Sequence, residues 1–182
     1  MTLLPDSGDP GHILDGAAPR KPELLTDATW RLLNERFQLR GELGDGGQAC
    51  VFEAKEREAP HRRVAIKVYH ENTDAARKAF DNEARILASD HLPAEVVGYY
   101  QCVVEPGIQP YLVLEFINGR TLTDLARTHR QLTFHQKLDL IERLARAFHR
   151  LHACNLVFGD ASANNILIEA EGGVRFVDLA GA

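Results

Sequence analysis

The spacing of apolar and polar residues changes near residue 37. Before it, Thr26 or Asp27 is suited to cap a short helix over residues 29–35. After it come short runs in which apolar residues alternate with polar ones, as they do in β-strands. These runs cover residues 37–43, 50–55 and 63–69, and their close succession predicts an antiparallel meander.

The pattern beyond residue 73 predicts mainly helices, interrupted by one pair of strands. Thr73 and Asp74 can cap a helix that continues to about residue 89. Strand-like runs follow at residues 96–104 and 111–117, and further short apolar runs lie after residue 155. Between them, a long helix is predicted over about residues 134–152, with apolar residues recurring on one face at Ile141, Leu144, Phe148 and Leu151.

This order of elements predicts an α+β protein with two lobes. Residues 1–25 are rich in proline and glycine, which predicts a flexible N-terminal arm. Residues 26–117 form a lobe with an antiparallel sheet and one helix, and residues 118–182 form a mainly helical lobe. Asn118 and Gly119 mark the junction.

Composition excludes several classes of protein. The chain has 182 residues, of which 45% are hydrophobic and 26% charged, so it is globular rather than disordered. A net charge of −5 gives no reason to expect nucleic acid or an anionic membrane as a partner. No apolar stretch is long enough to span a bilayer, and no secretion signal begins the chain. Three widely spaced cysteines, Cys50, Cys102 and Cys154, favour reduced thiols in the cytoplasm.

The turn between the first two predicted strands is rich in glycine. It runs Leu43-Gly44-Asp45-Gly46-Gly47-Gln48-Ala49-Cys50-Val51. Glycines let a backbone approach an anion closely and direct N–H groups at it. Because the turn joins two strands, it is neither a dinucleotide-binding turn nor a Walker loop. A plain hairpin and a lid over phosphates both fit it.

A lysine and a glutamate follow on neighbouring predicted elements. Lys67 lies on the third strand, on the same face as Ala65 and opposite to Val64, Ile66 and Val68. A lysine beside a small residue can hold a ligand phosphate as a point charge. Glu83, on the following helix, can orient that lysine. Taken alone, both residues also fit exposed surface positions.

Two acids and an amide border the last apolar runs. Asp160 precedes Asn165 within Phe158-Gly159-Asp160-Ala161-Ser162-Ala163-Asn164-Asn165, and Asp178 follows Phe176-Val177. Such a set suits a hard divalent cation with one carboxylate left as a base. Ordinary turn chemistry explains each of these residues individually as well.

Taken in order, these features resemble the protein kinase family over residues 37–182, and more specifically its divergent bacterial serine/threonine type. The resemblance implies ATP and Mg²⁺ as cofactors and a protein substrate with serine or threonine hydroxyls. It implies that the glycine-rich turn, with Leu43, Gly44, Gly46 and Gly47, covers the ATP phosphates. It further implies that Lys67 binds the α- and β-phosphates and pairs with Glu83.

The resemblance assigns the remaining roles as well. Leu114 takes the gatekeeper position, and Glu115 and Ile117 offer backbone bonds to adenine. The adenine ring is sandwiched by the apolar residues Val51, Ala65 and Leu167. Asp160 is the implied catalytic base, whereas Asn165 and Asp178 are the implied metal ligands.

The sequence departs from the family pattern in several places. Ala49 replaces the third glycine of the lid, Phe158-Gly159 replaces the usual His-Arg, and Asp178 is followed by Leu179-Ala180 instead of Phe-Gly. The chain stops shortly after Asp178, so the resemblance implies an incomplete helical lobe. We expect an exposed apolar surface there that supports self-association or a partner. A nucleotide-binding pseudokinase or fragment, and a small-molecule kinase, remain alternatives to a protein kinase.

Overall fold

The structure is a computed structural model that describes residues 19–70, 74–127 and 132–181. The chain divides into two compact units. Of the described residues, we call those from 19 to 85 together with 98–116 the sheet unit, and those from 86 to 97 together with 117–181 the C-terminal unit. The sequence predicted a single boundary near residue 117. In the structure the chain passes from the sheet unit to the C-terminal unit at residue 86, returns to the sheet unit at residue 98, and leaves it again at residue 117.

The sheet unit is built on five antiparallel strands in the order β1-β2-β3-β5-β4. The predicted meander is its first half, and α2 runs past the end of this unit into the next. The predicted cap Thr73 lies outside the described residues. The elements are α1 (Asp27–Arg36), β1 (Phe37–Asp45), β2 (Ala49–Glu56), β3 (Arg63–Tyr69), α2 (Asp74–Leu87), β4 (Tyr99–Val103) and β5 (Tyr111–Glu115).

Helix α1 covers one face of this sheet. The Thr26 side chain caps the helix by accepting a hydrogen bond from the Thr29 backbone N–H. Leu33 is fully buried in the cluster that the sheet presents on this face, and the Trp30 ring packs edge-on against Phe52 at 5.9 Å. The same cluster contains the alternate residues of β3, namely Val64, Ile66 and Val68.

Gln109 fastens the segment before α1 to the turn between β4 and β5. Its side chain accepts a hydrogen bond from the Thr26 N–H at 2.9 Å and donates one to the Leu24 carbonyl at 3.0 Å. Leu25, between them, is only 2% exposed. Residue 25 therefore belongs to the core of the sheet unit, not to a flexible arm as the sequence suggested. Residues 1–18 of that arm lie outside the described residues.

In its described residues, the C-terminal unit contains two helices and a small antiparallel sheet in the order β6-β7-β8. Residues 95–97 extend that sheet, because Val96 bridges to Phe176 in parallel and the Phe176 N–H donates to the Glu95 carbonyl at 2.6 Å. The elements are β6 (Gly119–Thr121), α3 (Leu122–Arg127), α4 (Phe134–Ala153), β7 (Ile166–Glu169) and β8 (Val174–Phe176).

Helix α4 buries only part of its apolar surface. Thr133 and Gln136 form a reciprocal capping box at its start, and Leu151 near its end is fully buried. Ile141 is 61% exposed, so it does not share the buried face that the sequence assigned to it together with Leu151. Leu138 and Phe134, about one and two turns before it, are exposed as well.

The expected α+β class is confirmed, and the strands and helices lie close to their predicted positions. Among the residues that the structure describes, no helix is long and apolar enough to cross a membrane.

Replacing Leu33 by alanine should lower the free energy of unfolding by about 3 kcal/mol, because a fully buried leucine leaves a cavity. Urea unfolding followed by the fluorescence of Trp30, the only tryptophan, measures this unit directly. Leu24→Ala is the control, since Leu24 is 52% exposed, and it should change the value by less than about 0.5 kcal/mol. Equal effects of the two changes would contradict the role given to α1.

Candidate functional site

The glycine-rich turn is a hairpin between β1 and β2. The Gly46 N–H donates to the Ala49 carbonyl at 3.0 Å, and Gly44 is paired with Val51. A Cβ added to Gly44 or to Gly47 would meet nothing within 4 Å, and neither glycine has a positive φ. Packing and backbone strain within the chain therefore do not explain why glycine stands at these two positions. Leu43, at the start of the turn, is 48% exposed.

The sheet register places several predicted residues on one face. Val51 on β2 lies opposite Lys67 on β3, and Ala65 lies opposite Leu114 on β5. Directly opposite residues of antiparallel strands share a face, as do residues two apart on one strand. The four side chains therefore point to the side of the sheet away from α1. Tyr69, two residues beyond Lys67, extends this row.

Lys67 forms a buried ion pair with Glu83 of α2. The Lys67 Nζ lies 2.6 Å from the Glu83 Oε2, and the two side chains are 8% and 0% exposed. Charges removed from water in this way are retained only when each is paired and hydrogen-bonded. The pair therefore holds the helical turn of α2 that carries Glu83 against strand β3.

Tyr69 belongs to the same contact, and sequence reasoning missed it. Its hydroxyl donates a hydrogen bond to the Glu83 Oε2, the oxygen that also accepts from Lys67. The Lys67 Nζ lies 5.2 Å from the centre of the Tyr69 ring. A signal existed: Tyr69 alternates onto the same face as Lys67, and a buried tyrosine hydroxyl normally has a hydrogen-bond partner.

Two hydrogen bonds to Gly98 hold the end of strand β5 in place. The Glu115 N–H donates to the Gly98 carbonyl at 2.8 Å, and the Gly98 N–H donates to the Glu115 carboxylate at 3.0 Å. The two predicted apolar residues beside Glu115 are nearly buried, with Leu114 5% and Ile117 8% exposed. The Ile117 carbonyl accepts from the Gly119 N–H at 3.1 Å.

In the C-terminal unit, two of the predicted polar residues touch directly. The Asn165 Nδ2 donates to the Asp160 Oδ2 at 3.0 Å and to the Asp160 carbonyl at 3.3 Å. The Asp160 side chain is exposed, and Asn165 is half-buried. The loop that carries them is thus closed on itself by one amide side chain. Leu167, in the following strand β7, is half-buried and paired with Arg175 of β8.

Asp178 lies next to the loop that carries Asp160 and Asn165, because the residue before it is hydrogen-bonded to Asn165. The Val177 N–H donates to the Asn165 carbonyl at 3.0 Å. Asp178 then adopts a φ of 63°, which is uncommon for a residue with a side chain and is often found at functional sites. A Cβ on Gly181 would lie 3.4 Å from the Asp160 N, so the chain after Asp178 returns beside Asp160.

A pair of phenylalanines anchors both acids. Phe158 and Phe176 each stand two residues before an acid, Asp160 and Asp178 respectively. Their ring centres are 5.0 Å apart, and Phe148 of α4 packs on Phe176 at 4.9 Å. Phe158, one of the departures noted in the sequence, is thus a core residue of this unit.

The polar residues of this loop fit a divalent cation in their chemistry. Because the Asn165 amide directs its NH₂ group at Asp160, the oxygen is the end of this side chain that a hard cation would use. Asp178 supplies a carboxylate. Within the described ranges, no group of three or more His, Cys, Asp or Glu side chains is placed to hold a metal. An ion at this loop would therefore take some of its ligands from a bound phosphate or water.

Cys50, directly after the glycine-rich turn, has no reactive character. Its side chain is fully buried, and burial raises the pKa of the thiol to about 12, with a smaller contribution from the Asp45 charge. The thiol is therefore protonated at neutral pH and is a poor nucleophile.

Comparison with known proteins agrees with this geometry. The family model for protein tyrosine and serine/threonine kinases matches residues 37–180. The chain belongs to this family. The kinase fold expected from the sequence is therefore confirmed, and the five-stranded antiparallel sheet is that of a kinase N-lobe.

Several bacterial kinases are similar to this kinase chain. A Lactococcus lactis protein named "Probable serine/threonine-protein kinase PknB" is 29% identical over 152 residues, or 82% of this chain and 24% of that protein. Serine/threonine-protein kinase PknA of Mycobacterium tuberculosis is 32% identical over 153 residues, covering 81% of this chain and 35% of PknA. PknB of the same organism is 31% identical over 154 residues, covering 81% and 24%. The chain thus spans a quarter to a third of the length of these relatives.

Proposed function

We propose that this chain carries the ATP-binding and catalytic residues of a protein kinase that transfers the γ-phosphate of ATP to serine or threonine hydroxyls. The observation that carries the proposal is the buried Lys67–Glu83 ion pair, 2.6 Å long, on the face of a kinase N-lobe sheet that also presents Val51 and Ala65. The choice of serine and threonine rests on the printed names of the relatives.

In this proposal the sheet unit binds the nucleotide. Lys67 contributes a positive charge to the α- and β-phosphates, and Glu83 holds it in position. The backbone of Gly44, Gly46 and Gly47 lies over the phosphates, which explains glycines that the chain's own packing does not require. Within the sheet unit, the adenine ring packs against Val51, Ala65 and Leu114 and hydrogen-bonds to the backbone of Glu115. The family resemblance adds Ile117 and Leu167 to the adenine-binding residues.

The loop residues of the C-terminal unit act on the acceptor and the metal. Asp160 orients the attacking hydroxyl and accepts its proton. Asn165 and Asp178 hold Mg²⁺, which when bound neutralises negative charge on the β- and γ-phosphates. The hydrogen bond from Asn165 to Asp160 keeps the base and one metal ligand at a fixed separation. Positioning and charge neutralisation supply most of the rate in such a reaction.

Transfer of label from γ-labelled ATP to serine and threonine in a peptide library tests the proposal. Asp160→Asn should lower turnover by about 10²- to 10⁴-fold while the Kd for MgATP changes little, because the carboxylate acts on the hydroxyl.

Asp178→Asn should weaken ATP binding with Mg²⁺ more than without it, because an amide contributes less charge to the ion. Binding of MgATP without any transfer would support a pseudokinase, and transfer to metabolites alone would support a small-molecule kinase.

A change of Gly47 to alanine should separate nucleotide binding from folding. A Cβ there meets no atom of the chain, so the melting temperature should stay within about 1 °C, whereas the Kd for MgATP should rise several-fold. Gly119→Ala is the contrasting variant, since its Cβ would lie 2.9 Å from the Ile168 carbonyl oxygen and should cost about 1–3 kcal/mol of stability. Unchanged ATP affinity in Gly47→Ala would remove the turn from the nucleotide site.

We also propose a cytoplasmic location. The three cysteines are unpaired, which suits a reducing compartment.

We further propose self-association through α4. Phe134, Leu138 and Ile141 are 69%, 48% and 61% exposed, and their spacing places them on one side of the helix. Light scattering should show a mass that rises with concentration, and Leu138→Ser together with Ile141→Ser should abolish the rise. A wild-type mass independent of concentration would contradict this proposal.

A further inference from the structure

The buried contact around Glu83 contains one more polar group than an ion pair needs. Tyr69 is 1% exposed, and its hydroxyl donates to the same Glu83 Oε2 that accepts from Lys67. We infer that Tyr69 is a positioning residue for phosphoryl transfer: its hydroxyl holds Glu83 in place when the Lys67 ammonium engages the nucleotide. This inference rests on the proposed function of the Lys67–Glu83 pair.

Glu83 has a carboxylate that depends on the hydrogen-bond donors around it. Its side chain is 0% exposed, so the carboxylate has lost its hydration and depends on donors within the protein. A phosphate bound by Lys67 shares the ammonium group with Glu83, because that group has three N–H donors and its charge then serves two anions. A second donor on Oε2, fixed independently of the ligand, keeps the Glu83 carboxylate oriented while the ammonium serves both.

The position of Tyr69 suits that task. Tyr69 is held by the sheet, where it pairs with Ala49, and its ring packs edge-on against Phe80 of α2 at 5.2 Å. The hydroxyl therefore reaches Glu83 from a rigid strand, and the bond ties α2 to β3 without involving Lys67. The ring also faces the ammonium, with its centre 5.2 Å from the Lys67 Nζ.

A packing role alone would need only the ring, and phenylalanine supplies that. The experiment therefore compares Tyr69→Phe with Tyr111→Phe in the full chain. Tyr111 is a matched control, because it is also fully buried in the sheet and its hydroxyl accepts one hydrogen bond, from the Arg36 Nη1 at 2.6 Å. Neither the ring of Tyr111 nor its hydroxyl has a role in the proposed site.

The measured quantities are the Kd for MgATP and the urea midpoint. Tyr69→Phe should raise the Kd about tenfold, the effect of losing a hydrogen bond to a charged group, whereas Tyr111→Phe should change it less than about twofold. In a Glu83→Gln background, adding Tyr69→Phe should raise the Kd by less than about threefold, because the two groups act as one unit. A purely structural tyrosine would instead give the same factor in both backgrounds.

The outcomes separate this inference from the function on which it rests. Equal Kd values for the Tyr69→Phe and Tyr111→Phe variants, or fully multiplicative effects of Tyr69→Phe and Glu83→Gln, would overturn the role of Tyr69 while leaving the kinase proposal intact. A wild-type chain that does not bind MgATP would count against the proposed function. The urea midpoints of the same variants then decide whether Tyr69 and Glu83 are coupled, and independent shifts would contradict the contact itself.

Discussion

A single buried ion pair sets the geometry of the sheet unit. Because Lys67 and Glu83 are both almost completely removed from water, neither can move without leaving an uncompensated charge. The pair requires β3 to turn Lys67 toward α2, and strand alternation then sends Val64, Ile66 and Val68 to the opposite face. That face is apolar and must be covered, which is the function of α1 and the residues before it.

In the C-terminal unit, aromatic packing holds the backbone next to the two acids in place. The contact between Phe158 and Phe176 fixes two backbone segments, and each of them delivers an acid two residues later. The polar bond from Asn165 to Asp160 then adjusts the loop locally. Buried aromatic side chains of this kind fix the backbone of a site, while the polar side chains next to them stay accessible to solvent and ligand.

Much of this could be read from the sequence, because alternation and helical spacing are local signals. The strands and the helices followed from them, whereas the pairing of Lys67 with Glu83 was implied by the resemblance to the kinase family. The hydrogen bonds of Gln109 could not be read in this way, since they join residues more than 80 positions apart. The contact of Tyr69 with Glu83 was missed although alternation places Tyr69 on the same face as Lys67, because alternation does not identify the partner of a side chain. The exposure of Ile141 was missed for a similar reason: periodicity marks a helix as amphipathic but does not say how far its partner extends.

The family match begins later in the chain than the folded sheet unit does. The match begins at residue 37, yet Leu25 and Leu33, before that point, are as deeply buried as the strands they cover. The family match therefore leaves out a segment that closes one face of the sheet. Mutations in residues 24–33 would therefore act on the kinase lobe through its hydrophobic core, although a family alignment would leave them outside the domain.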